Sequence, residues 1–81
     1  MNLYLISQTD NTGYDTYDSA VVCASSAEEA RFIHPARWMT GAWWEEEEDD
    51  CWAKPHRVSV LLIGKAHDAK PGVICASFNA G

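Results

Sequence analysis

The sequence predicts an α+β domain in two layers: one helix on a four-stranded, mostly antiparallel sheet, in the order β-β-α-β-β. Three observations predict it. Four short segments rich in Leu, Ile, Val, Tyr and Phe read as strands. A single capped helix signal lies between the second and the third. The chain has 81 residues, which suits one domain over 1–81 and leaves no room for a separate cofactor module. A domain this small has a thin core.

The elements follow in order. Asn2 to Ser7 reads as the first strand, with Leu3 and Leu5 on one face and Tyr4 and Ile6 on the other. Thr9 to Asp18 is rich in turn formers; Asp10, Asn11 and Gly13 supply the turn chemistry. Tyr14, Thr16 and Tyr17 can extend the strands on either side. Ser19 to Ala24 is a short buried strand, antiparallel to the first. Ser26 and Glu29 fit a capping box, and Glu28 and Glu29 place anions at the positive end of the helix dipole. The helix is expected from Ala27 to about Ile33, with Ala27, Ala30 and Ile33 facing the sheet. Pro35 pushes His34 out of helical geometry and stops it. Arg57 to Ile63 is the strongest strand: Val58, Val60 and Leu62 point one way, Leu61 and Ile63 the other, and Gly64 ends it. Asp68 to Gly72 is a turn. Val73 to Phe78 is the last strand.

One segment does not fit this frame. An irregular insertion at 36–54 holds all four tryptophans and six consecutive acids. So long a loop in a small domain is usually functional or disordered, and disordered segments are poor in aromatics. The chain carries 12 acidic and 6 basic side chains, a net charge of -6. Glu45, Glu46, Glu47, Glu48, Asp49 and Asp50 account for all of it, because the other acids balance the bases. Like charges in a row favour extension into water. Trp43, Trp44 and Trp52 flank the run with large contact surfaces, and Trp is enriched at interface hot spots. The candidate partner-binding residues are therefore Trp43, Trp44, Glu45 to Asp50, and Trp52. A basic groove on another protein would attract the acids at long range and receive the indoles in pockets. The competing reading makes the tryptophans a cover for an open sheet face and the acids a solvated loop.

Other chemistries find little support. Cys23 and Cys75 sit in apolar runs and read as small core hydrophobes; three cysteines without close spacing do not make a disulfide framework. Cys51 lies beside carboxylates, which raise a thiol pKa. Cys51, His34, His56 and His67 are the candidate zinc ligands, but no paired half-site spacing occurs. Asp10, Asp15 and Asp18 do not match a calcium loop and read as turn and strand-end residues. The histidines lie at element edges, and no nucleophile elbow or phosphate loop is present. No catalytic residue, metal ligand or cofactor is expected, and the reading is of a non-enzyme. Six dispersed bases argue against direct nucleic-acid binding. No apolar run reaches the length of a membrane span, and no secretory signal is visible.

The opening Leu-Tyr-Leu-Ile-Ser-Gln, then Gly-Tyr-Asp-Thr-Tyr-Asp-Ser-Ala-Val-Val, then Glu-Glu-Ala-Arg with Ile-His-Pro, and the closing Ala-Ser-Phe-Asn-Ala-Gly, carry a resemblance. Over roughly 3–35 and 57–81 the chain resembles a group of small bacteriophage proteins. The resemblance implies a phage origin and supplies no catalytic residues. In size and acidity the chain is also similar to phage anti-defence proteins, including anti-CRISPR proteins. The expectation is a non-enzymatic inhibitor in the host cytoplasm. It would block the basic nucleic-acid-binding surface of a host protein or ribonucleoprotein, such as a CRISPR effector. Three alternatives stand beside it: binding through the sheet edge with Tyr14 and Tyr17, a sponge for a nucleotide signal, and a structural or accessory phage protein. A thin sheet with open edges and an uncovered apolar face would also admit a homodimer.

Overall fold

The computed structural model describes residues 1–36, 51–67 and 70–79. Four strands form one antiparallel sheet: β1 (Asn2–Ser7), β2 (Thr16–Ala24), β3 (Ser59–Lys65) and β4 (Gly72–Asn79). Their spatial order is β3-β1-β2-β4. The β1–β2 hairpin is central, and each later strand adds to one side of it. Strands β3 and β4 follow each other in the chain yet occupy opposite edges. Just after β3 the Ala66 amide donates to the Met1 carbonyl at 2.9 Å. Gly72 opens β4 with φ 142°, a conformation that side chains rarely adopt. Among the described residues the only α-helix is α1 (Ala27–Arg31), and a 3-10 turn (Pro55–Arg57) precedes β3. The architecture is α+β.

Alternation along the strands decides what is buried. Tyr4, Ile6, Ala20, Val22 and Ala24 share one face. They pack against Ala30 and Ile33 from the helical side, and against Trp52, Ala53 and Val58 from the returning chain. The other face carries Leu5, Val21 and Leu61 in one register row, and none of them is fully buried.

Several boundaries differ from the sequence pattern. The helix has five residues and is capped by Phe32, whose amide donates to the Glu29 carbonyl at 3.2 Å, while the Ile33 amide donates to the Ala30 carbonyl at 3.1 Å. Ile33 and His34 leave the helix to enter the core, so termination comes a turn before Pro35. Ser26 is the N-cap and accepts from the Glu29 amide at 3.1 Å. The reciprocal half of the box is replaced: the Glu29 carboxylate accepts from the Ser25 hydroxyl at 2.5 Å. Gly64 does not end β3; it pairs with Leu3 beside a bulge. Arg57 belongs to the 3-10 turn rather than to the strand. Cys75 is exposed on edge strand β4, whereas Cys23 is buried. No helix among the described residues is long and apolar enough to cross a membrane.

Candidate interaction site

Trp43, Trp44 and Glu45 to Asp50 lie outside the described residues. What the structure describes is the pair of attachment points on either side of that stretch, and both are pinned to the same end of the sheet.

The turn between β1 and β2 supplies the anchor. Gln8 is buried, so its amide must be satisfied. Its Nε2 donates to the carbonyls of Asn11 at 2.7 Å and Tyr17 at 2.8 Å, while its Oε1 accepts from the Asn11 amide at 2.8 Å. This network holds Asn11 and Tyr17 toward the returning chain. The Asn11 Nδ2 donates to the Trp52 carbonyl, and the Tyr17 amide donates to the Cys51 carbonyl at 2.9 Å. Trp52 itself is fully buried in the core. This corrects the expectation that Trp52 faces a partner: its ring is an anchor, and its Nε1 is a buried donor without an acceptor among the described residues.

The outgoing side is fixed by His34. Its ring is fully buried, against the expectation of a surface histidine. The Ala36 amide donates to Nδ1 at 3.0 Å, so Nδ1 carries no proton in this geometry. In the neutral ring the proton therefore sits on Nε2, which points to the Cys51 Sγ at 3.8 Å. The two ends of the acidic, Trp-rich stretch thus meet across a His34–Cys51 contact.

Two further ties hold the returning chain. The Arg31 guanidinium donates to the carbonyls of Pro55 at 3.0 Å and Val58 at 2.6 Å. Arg57 makes a two-pronged ion pair with Asp10, at 3.0 and 2.9 Å. The hydrogen bond from Arg57 holds the Asp10 carboxyl below its ordinary range and raises the guanidinium in turn.

The remaining sequence candidates separate. His34 and Cys51 come together, but among the described residues no three metal-ligating side chains gather. His56 is exposed on the 3-10 turn and His67 is exposed after β3. Tyr14 is 81% exposed, whereas Tyr17 is half-buried and stacks on Phe78 with centroids 4.8 Å apart. Asp18 accepts from Asn79 at 2.7 Å and ties β2 to β4. An open groove of about 560 Å³ runs between α1 and the 3-10 turn, lined by Glu28, Arg31, Phe32, Lys54, Pro55 and His56. Sequence reasoning missed the groove, because its residues come from two separate segments, 28–32 and 54–56, which the Arg31 hydrogen bonds help to bring together. The burial of Trp52 did have a signal, since Cys51-Trp52-Ala53 is a short apolar run just after the acids.

Comparison with protein-family models, with curated proteins and with solved structures gave no match to this chain.

Proposed function

We propose that the protein is a non-enzymatic inhibitor of phage origin. It docks on the basic, nucleic-acid-binding surface of a host defence complex and occupies it with Glu45 to Asp50, with Trp43 and Trp44 as anchors. The two-layer β-β-α-β-β frame is the scaffold. The observation that carries this reading is the charge ledger: six consecutive acids supply the whole net charge of -6, and the rest of the chain is neutral. The pinned attachment points add to it. A segment whose two ends are tied to one end of the sheet needs less ordering when it meets a partner, so more of its interaction energy is left for binding. Polyanions on a protein attract the surfaces that phosphates attract.

The test is binding to purified nucleic-acid-binding defence complexes across a salt series. Replacing Glu45 to Asp50 by Ser and Gln should weaken association at least tenfold and flatten its salt dependence. Unchanged affinity would remove the tract from the mechanism.

A second reading is favoured by the groove. Arg31, Lys54 and His56 bring three basic side chains to its walls, and Phe32 offers an exposed ring. Its volume lies within the roughly 300–1,000 Å³ of small-molecule sites. A sponge for a nucleotide signal would bind there, and would show as a nucleotide-dependent rise in melting temperature that the acidic-tract variant retains.

A further inference from the structure

We infer that the uncovered face of the sheet is a self-association surface, and that its occupant is a second copy of this chain. An antiparallel sheet can leave a polar face in water, but an apolar row is ordinarily buried, and among the described residues the helix, Ile33 and Trp52 pack on one face only. Register places two rows on the other. Leu61, Leu5, Val21 and Cys75 run straight across all four strands. Beside them, Ser59, Ser7, Ser19 and Ser77 form a row of four serines in the same order. None of the eight is fully buried, and Leu61 is 60% exposed. Ile63, in the bulge of β3, adds a side chain 48% exposed.

The chemistry of these rows selects the occupant. They hold no charged residue, although the chain carries -6. Asp18, at their margin, already accepts from Asn79 and, at 3.5 Å, from Ser77. A basic partner finds nothing to pair with on this face. A serine hydroxyl both donates and accepts, so a serine row is its own complement about a two-fold axis, as an aliphatic row is. Two copies can meet here face to face, as packed sheets do at ~10 Å, without burying a charge.

The size sets the strength. Four strands at ~4.8 Å and six residues at ~3.3 Å project roughly 400 Å². Two such faces give about 800 Å² before side-chain relief is counted, which is below the ~1,000 Å² of stable specific interfaces. The dimer is therefore weak and transient. Dimerisation is also a usual supplement for so small a core.

The experiment is sedimentation velocity on the full chain from low micromolar to about millimolar concentration. The expected result is a rise toward twice the 9.0 kDa chain mass. Leu61→Asp and, independently, Ser77→Arg should shift the midpoint at least tenfold toward monomer. Both positions are exposed, so circular dichroism should report an unchanged fold. Phe32→Asp, exposed beside α1, should leave the dimer intact. A monomer throughout, or a dimer insensitive to both face variants, overturns the inference. Neither outcome touches the acidic-tract reading, which rests on different residues.

Discussion

Asp10 and Arg57 join residues 47 positions apart, so their pair ties the first turn to the chain that returns before β3. The sign of its pH dependence follows from the direction of the shift. A carboxyl whose folded value lies below its unfolded value, about 3.9, stabilises the fold above that value. The contribution is lost as pH falls through the folded value. Asp10→Asn should therefore lower the melting temperature at pH 7, and the difference from wild type should vanish in acid, once the pH has fallen through the lowered folded value. The pair is exposed, so salt should shrink the difference. A gap that persists in acid would assign the loss to packing. Trp52 makes the opposite case, in which burial rather than charge decides. Trp52→Ala should cost about 3–5 kcal/mol, which is much of the 5–15 kcal/mol available to a small domain. Trp52→Phe keeps most of the apolar ring and removes the buried N–H that lacks an acceptor. It should stay within about 1 kcal/mol of wild type in urea denaturation, because the lost contacts and the relieved desolvation oppose each other.

At the scale of elements, α1 depends on its ends. Five residues cannot hold a helix by propensity alone, and isolated helices below about 12 residues are marginal. Ser26→Ala removes the acceptor for the Glu29 amide and should cost about 1 kcal/mol. Because Ala30 packs on the sheet from this helix, and Ile33 from the chain just after it, the loss should appear as global destabilisation in urea and not as local fraying. The cap was legible in the sequence, as were the four strands, because both are local patterns. The alternation of Val58 and Val60 against Leu61 also survives in the structure, but it breaks beyond them, where Leu62 is 58% exposed and Ile63 falls in the bulge. Strand order was not legible: nothing in Val73 to Phe78 says that it pairs with β2 and is separated from β3 by two strands. Gly64 looked like a terminator because it weakens a strand, but cross-strand pairing to Leu3 carries β3 past it. His34 looked exposed because it precedes a proline at an element edge. Its burial depends on the Ala36 amide and on Cys51, which is 17 residues away. Of the candidate site, the sequence made the acids and indoles visible, and only the fold could separate Trp52 as an anchor.

For the whole molecule, the two proposed surfaces differ in kind, and salt can tell them apart. The acidic tract holds the net charge, so attraction to a basic partner is screened as ionic strength rises. With a Debye length of about 14 Å at 50 mM falling to about 4 Å at 500 mM, most of its long-range pull should disappear. The sheet face has no charge on its two rows, so its attraction is apolar and does not depend on screening. What opposes self-association is repulsion between two chains of charge -6, and salt removes that repulsion. Association with a basic partner should therefore weaken at least tenfold between these two conditions, while the self-association midpoint moves to lower protein concentration. Sedimentation velocity measures both on one preparation. Replacing Glu45 to Asp50 by Ser and Gln makes the chain neutral, so it should abolish the first salt dependence and also flatten the second, with the dimer strengthened at low salt. A dimer that weakens with added salt would mean that charged groups make the contact, and the serine and leucine rows would then have no part in it.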